Sequence, residues 1–481
     1  MKVKTKNQKT DKKLQAQQVA ARPFNWIKFS VKILLLFVIT VCAVKLTDNK
    51  NYFRADQTNN HIERKWKSFY NFTKTKNVDI LLCGNSHIIT GIDPFVLSCA
   101  MGCNCFILDS PGVSIPDTYF VLGEALEITK PKLVVIETYA LNSNNDKDNG
   151  GMYQIMSFEA VQNFWHKLKM MPQLFNSNSW VKAWSPTVRN HSFLLTNRKQ
   201  IGFNLKNPKL KNEPQRLDLG RFARFDKGLQ PETLAKYDSL GAVVDGGRFE
   251  VSNRNKTYLK KIMNLCKEKK IPVLFLTIPM YYKHISDYEH WQKTLGEELK
   301  KYPQAQWIDW QMPYDTAFFT PEAFENTYST NQHLSNFGME IAAYRLAEAL
   351  QKNYAGIFPD RSAEKVWLSD FYSQPHFIYN QPAPAIAANC EQIAKNVKIN
   401  GLLIKEMLVQ QYQDFNHLIL KTEKYADSPP VLNAVLKLQF QNQTITAPVQ
   451  MTKNSRVLPP QHDVYFATIK KDVKIVEIVG F

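Results

Sequence analysis

The chain has 481 residues, 44% hydrophobic and 22% charged, which excludes both a wholly disordered chain and a polytopic membrane protein. At roughly 150 residues per domain, that length carries two to four domains. Net charge is +18, but residues 1–32 hold nine Lys or Arg against one acid, Asp11, leaving +10 over the other 449 residues. So mild a surplus is no nucleic-acid stripe, and no nucleic-acid partner is expected.

Residues 1–25 read as a basic cytoplasmic tail. Residues 33–44 are uncharged, and extending to 26–46 gives 21 residues with Lys28, Lys32 and Lys45 near the ends, where ammonium groups can snorkel. That is long enough for a bilayer core of roughly 30 Å, so 26–46 is expected to be a single-pass signal-anchor. The basic leader sets the N-terminus in the cytoplasm and everything after about residue 47 outside. The expected location is the cytoplasmic (inner) membrane, with the bulk of the chain periplasmic. Two rival readings are a signal-peptidase site at Val41, Cys42 and Ala43, and a lipoprotein cysteine at Cys42.

From residue 78 the pattern is α/β. Short apolar runs at 78–83, 105–108, 133–136, 272–278 and about 306–309 read as buried parallel strands. Helical spacing at 117–129, 255–270, 284–301 and 336–352 alternates with them. The expectation is a three-layer, doubly wound parallel sheet over residues 47–360, with ligands at the carboxyl ends of its strands. Residues 150–250 lack a clean period and read as an irregular insertion. Residues 361–481 form a separate β-rich region: Leu436, Leu438 and Phe440 alternate onto one face, and turn-forming prolines part the runs, which suggests a small β-sandwich.

Cys99, Cys103 and Cys105 are clustered, but no fourth Cys or His stands at zinc spacing. They read as small buried residues or as one disulfide, and no metal or cofactor is expected.

Two segments carry candidate chemistry. The first strand runs into Gly84, Asn85, Ser86 and His87, which puts a hydroxyl at the ligand edge of the sheet. Ser86 is either a nucleophile or a plain helix cap. The second segment holds Thr330, His333, Ser335 and Gly338, just ahead of the last amphipathic helix. A serine needs a base to become nucleophilic, and a positioned histidine is the usual one.

The pair of motifs resembles the SGNH (GDSL-like) hydrolase superfamily: Gly-x-Ser after the first strand, and His-Leu-x-x-x-Gly before the last helix. The resemblance spans about residues 75–355. More narrowly, the chain is similar to membrane-anchored members of bacterial polysaccharide pathways, through segments 130–137, 189–191 and 226–228. The resemblance implies Ser86 as nucleophile and His333 as its base. It implies oxyanion donors at the Ser86 amide, at Gly112 and at Asn142, while His87 and His191 are further pocket candidates. Where the family has Asp, this chain has Thr330. A hydroxyl can orient an imidazole but cannot stabilise imidazolium as a carboxylate does. Either Thr330 orients His333 in a dyad, or another acid such as Glu325 or Asp309 reaches it, or the site has decayed.

The implied function is O-acyl (acetyl) transfer to, or esterase action on, an extracytoplasmic polysaccharide, with a membrane-bound O-acyltransferase as possible donor partner. Trp165, Trp180, Trp184 and Phe193 either stack on sugar rings or belong to the core. The alternative is a non-catalytic glycan-binding or assembly subunit that keeps the fold.

Overall fold

The computed structural model describes residues 25–49, 53, 61–142, 151–199, 201–202, 228–240, 250–281, 288–316, 319–327, 332–358, 390–399, 402–411, 415–423, 431–440, 443–453, 462–470 and 474–480. They belong to two compact units: Met1–Gln57 with Trp184–Leu210, and Thr58–Ala183 with Lys211–Phe481.

In the first unit one helix, Trp26–Asn49, runs through the apolar segment without a break and buries none of its residues. Its 24 residues rise about 36 Å at about 1.5 Å each, and its apolar window has a mean hydropathy of 2.3. By length and composition it can cross a membrane or serve as a signal sequence. The helix runs three residues beyond the expected end at Leu46, through Thr47, Asp48 and Asn49.

The second unit contains a five-stranded parallel sheet in the order β2-β1-β3-β4-β5. Its strands are β1 Ile80–Cys83, β2 Cys105–Ile107, β3 Leu133–Glu137, β4 Val273–Thr277 and β5 Ala305–Asp309. The first four are buried on both faces, which is why they read as unbroken apolar runs; only the edge strand β5 is half-exposed. Register follows from those runs: Leu81 pairs with Phe106 on one side and Val134 on the other. Helix Ile115–Ile128 starts where Asp117 accepts from the Ser114 amide at 3.0 Å and hydroxyl at 2.9 Å, and it ends before Lys130-Pro131. Helix Asn253–Glu268 starts on Ser252, whose hydroxyl accepts from the Asn255 amide at 3.0 Å. Helices His61–Thr73, which buries Trp66 and Phe69, and Pro94–Met101 escape the sequence reading. The segment read as an irregular insertion holds further helices, among them Met152–Ala160, Phe164–Leu174 and Pro231–Leu240.

In this strand order the chain direction reverses between β1 and β3. Side-by-side strand ends whose connections leave in opposite directions open a crevice there, and that is where doubly wound sheets take ligands.

The C-terminal strands form one antiparallel sheet, in place of the expected two-sheet sandwich. The strands are β6 Glu391–Ile399, β7 Leu402–Gln411, β8 Phe415–Glu423, β9 Val431–Phe440, β10 Gln443–Lys453, β11 His462–Lys470 and β12 Lys474–Gly480. They run in the order β12-β9-β10-β11-β8-β7-β6, and the outer strands β12 and β6 approach each other. Curling a sheet on itself buries one face without a second layer, and Leu418, Leu420, Ala434, Leu436 and Leu438 are all fully buried. They join the core that helix Pro94–Met101 shares with β10.

Candidate active site

The crevice is built from three turns. The first follows β1. Gly84 has φ +145°, and a Cβ placed there would lie 2.7 Å from the Glu137 Cβ on the neighbouring strand, so only glycine turns the chain this tightly. The Gly84 amide donates to Asp109 Oδ2 at 3.1 Å, which ties the turn to the end of β2. Asn85 then caps the short helix Ser86–Ile89, its Oδ1 accepting from the His87 amide at 3.0 Å. Cap duty thus falls to Asn85, and Ser86 occupies the first helical position, half-exposed among buried neighbours.

The second turn follows β3. Glu137 accepts from the Tyr139 amide at 2.8 Å and starts the single turn Thr138–Leu141. The Tyr139 ring stacks on the His87 ring at 4.3 Å between centroids, which packs the post-β3 turn against the residue next to Ser86. Asn142 ends the same turn and is fully buried.

The third element is a hairpin ahead of the last helix. Phe324 and Leu334 form an antiparallel bridge, so Glu325 and His333 stand opposite each other. The Glu325 amide donates to the His333 carbonyl at 3.0 Å, and the Ser335 amide to the Ala323 carbonyl at 2.8 Å. Glu325 Oε1 accepts from both the His333 amide and the His333 Nδ1, each at 3.0 Å. Both side chains are buried. A carboxylate only accepts, so it places the ring proton on Nδ1 and leaves Nε2 as the basic nitrogen. The His333 ring lies 5.2 Å from the His87 ring, bringing the hairpin to the turn that carries Ser86.

The hairpin is fastened from outside. Gln332 Oε1 accepts from the Tyr281 amide at 2.7 Å, beyond β4, and its Nε2 donates to the Tyr237 hydroxyl at 3.1 Å. Tyr237 donates to the Thr327 carbonyl at 3.0 Å, and Asn326 Oδ1 accepts from the Gln230 amide and the Thr233 hydroxyl. One part of the insertion, helix Pro231–Leu240, is therefore a brace for the hairpin. Gly338 lets the last helix close on it, since a Cβ there would sit 2.0 Å from the Ala323 carbonyl oxygen.

Ser86, His87 and His333 are thus drawn to one crevice, and Glu325 is the acid that reaches the histidine. Asp309, the other candidate, is engaged elsewhere: it accepts from the Tyr288 hydroxyl at 3.0 Å and from Gln292 at 2.9 Å. Thr330 lies outside the described residues. Gly112 adopts φ +64° in the turn after β2, a left-handed position that suits glycine. That turn is tied to Gly84 through Asp109, which also accepts from the Thr118 hydroxyl at 2.7 Å. His191 belongs to the other unit, is exposed, and bonds through Nδ1 to the Val188 carbonyl at 2.8 Å. Of the aromatic residues, Trp165 is exposed, whereas Trp180, Trp184 and Phe193 are half-buried. The six described cysteines are free thiols, so the disulfide reading fails for Cys103 and Cys105, which lie side by side unlinked.

Two buried carboxyls flank the Ser86 turn. Burial pushes Asp109 up from 3.8 to about 7, against the pull of its hydrogen-bond donors. Burial pushes Glu137 up from 4.5 to about 8, and its Oε2 has no hydrogen-bond partner among the described residues. Sequence reasoning missed these two, together with Gln332 and Tyr237. The signal for Glu137 was an acid closing an apolar strand run.

The fold is α/β on a five-stranded parallel sheet, and at its β1/β3 crevice a buried Glu325–His333 pair adjoins His87, the residue after Ser86. No family model matches the chain, and no curated protein matches it. Among solved structures, it is matched to "BT4096 a gut microbial diltiazem-metabolizing enzyme" at 11% identity and a TM-score of 0.21, over 78% of this chain and 70% of that one. A score so low carries no argument about fold or function.

Proposed function

We propose that the chain is a serine-dependent O-acyl (acetyl) transferase or esterase, with Ser86 as nucleophile, His333 as general base and Glu325 as the acid that orients and supports it. The observation that carries this reading is the 3.0 Å bond from His333 Nδ1 to buried Glu325, in a hairpin whose histidine ring adjoins His87. A carboxylate at Nδ1 holds the tautomer that presents Nε2 as the proton acceptor and stabilises the imidazolium that forms when Nε2 takes a proton.

In the proposed reaction the Ser86 hydroxyl attacks an acyl carbonyl as His333 Nε2 takes its proton. The tetrahedral intermediate collapses, and the imidazolium returns that proton to the departing alkoxide. An acyl-serine remains. A sugar hydroxyl or water then attacks it, with His333 again taking the proton and returning it to Ser86. The Ser86 amide, Gly112 and Asn142 are the proposed donors to the oxyanion, each such donor typically being worth about 10²–10³ in rate.

The proposed acceptor is an extracytoplasmic polysaccharide. What supports this is the apolar helix behind a leader, residues 1–25, of net charge +6, which suits a catalytic region held outside the membrane beside a substrate assembled there. A membrane-bound O-acyltransferase is the proposed donor.

The test is hydrolysis of p-nitrophenyl acetate by the detergent-solubilised full chain, with intact-mass detection of an acetyl adduct. Turnover or an adduct lost in Ser86→Ala and His333→Ala supports the reading. An inert wild-type chain, folded and supplied with an acylated donor protein, would favour a binding subunit.

A further inference from the structure

Between Glu159 and Glu213 the sequence has 53 residues without a single Asp or Glu, and nine Lys or Arg among them. An acid-free basic run of that length is attracted by an anionic surface. Its middle part, of which residues 184–199 and 201–202 are described, forms a compact unit with helix Trp26–Asn49.

The attachment is at one end of that helix. Thr47 Oγ1 and Thr187 Oγ1 share a hydrogen bond of 2.7 Å, Asp48 Oδ1 accepts from the Thr187 amide at 2.8 Å, and Asn190 Nδ2 donates to the Phe53 carbonyl at 2.6 Å. When a helix about 36 Å long crosses a core of roughly 30 Å, its last turn stands at the headgroups. Whatever is fastened to Thr47 and Asp48 is then fastened at the membrane surface. Leu194 follows Thr187 by seven residues, a reach of at most roughly 25 Å. Leu194 is 55% exposed and Leu195 is 81% exposed, the most exposed large apolar side chain among the described residues. Arg198 and Lys199 follow after Thr196 and Asn197 and are exposed. Adjacent exposed leucines beside exposed cations are the composition of a segment that lies in a bilayer interface.

We infer that residues 184–202 are a foot that seats on the bilayer the helix crosses, with Leu194 and Leu195 at the headgroup–acyl boundary and Arg198 and Lys199 on anionic headgroups. This rests on reading Trp26–Asn49 as an uncleaved anchor. The occupant is the membrane itself. The foot gives the chain a second attachment, which restricts its swing about the anchor.

The test uses the full chain reconstituted in phosphatidylethanolamine–phosphatidylglycerol vesicles, with Cys42, Cys99, Cys103 and Cys390 changed to Ser. An environment-sensitive fluorophore is placed at Leu195→Cys or, separately, at Leu36→Cys in the helix. The expected result is that the probe at 195 is quenched about threefold or more better by a headgroup-level nitroxide lipid than by aqueous iodide, while the probe at 36 responds to a deep nitroxide. Arg198→Gln with Lys199→Gln, or phosphatidylcholine vesicles, should weaken the lipid quenching at 195 about twofold or more. Equal quenching in both vesicle types overturns the headgroup contact. A probe at 195 open to iodide while position 36 is deep overturns the foot and leaves the anchor standing. Shielding from both quenchers at 195 means protein covers the leucines and also overturns it. Failure of the probe at 36 to reach deep nitroxide removes the anchor, and the foot with it.

Discussion

The parallel and antiparallel sheets of the larger unit bury similar side chains in different ways. In β1 to β4 every residue is covered on both faces, so no strand side chain is left for chemistry, and function is pushed to the strand ends. Glu137 closes β3, and Gly84, Ser86 and Tyr139 stand just beyond such ends. The C-terminal sheet buries Leu418, Leu420, Leu436 and Leu438 but leaves Val476 and Val479 of its outer strand exposed, and none of the crevice residues named above comes from it. The two sheets contribute to one core yet have separable duties in the proposed function: the first positions the reacting groups, and the second holds a shape.

That division makes testable claims. The largest effect is expected for Ser86→Ala or His333→Ala, each lowering acyl transfer by about 10⁴-fold or more with the fold unchanged by circular dichroism. Glu325→Gln keeps a hydrogen-bonding group at Nδ1 but loses the charge, and kcat is expected to fall about 10²–10⁴-fold. Esterase kinetics on the three variants check both statements, and a Glu325→Gln chain with full activity would remove the acid from the mechanism.

Backbone crowding comes next. Gly338→Ala puts a methyl group into the Ala323 carbonyl, which belongs to the same small ladder as Glu325 and His333. It is expected to cost activity together with about 1–3 kcal/mol of stability. Leu418→Ala, in the curled sheet, is expected to cost about 2–5 kcal/mol by urea unfolding while leaving kcat of the folded fraction unchanged. A Leu418→Ala chain that unfolds no earlier, or one that loses kcat, would show that the two sheets do not divide their roles.

The smallest effect concerns pH. Asp109 and Glu137 titrate higher in the folded chain, near 7 and 8, than in the unfolded one, near 4. Between those values the folded state binds more protons, so stability falls as pH rises. The contribution is full below about pH 4 and lost as pH passes 8. Midpoint urea concentrations measured from pH 5 to 8 should decline, and Asp109→Asn with Glu137→Gln should flatten the decline. An unaltered slope in the double variant would assign the pH dependence to other groups.

Much of this was legible in the residues. The five parallel strands were marked by their apolar runs and lie within a few residues of where they were expected. The four helices that alternate with them, Ile115–Ile128, Asn253–Glu268, Tyr288–Leu299 and Asn336–Asn353, were marked by their spacing. Ser86 and His333 stood out through position in the α/β rhythm, and Glu325 stood among the acids within reach of the histidine. Helices His61–Thr73 and Pro94–Met101 were not legible, because the first has Lys65 in its buried stripe and the second is apolar on nearly all sides. The helices of the insertion, such as Met152–Ala160 and Phe164–Leu174, were not legible because their apolar residues keep no clean period. The C-terminal alternation said that one face was buried, but period two is the same in a sandwich and in a curled sheet.

Sequence alone determined the five parallel strands and the helices between them, the apolar helix behind a basic leader, and the residue types available for acyl chemistry, since these depend on local periodicity and on charge counted along the chain. Only the tertiary structure decided which acid serves His333. Glu325 and Asp309 are both close in sequence to that histidine, but a two-residue bridge across the hairpin sets Glu325 opposite it, while Tyr288 and Gln292 occupy Asp309. Pairing across a turn depends on register and on what braces the loop, here Gln332 and Tyr237, and neither is written in the spacing of the residues that do the pairing.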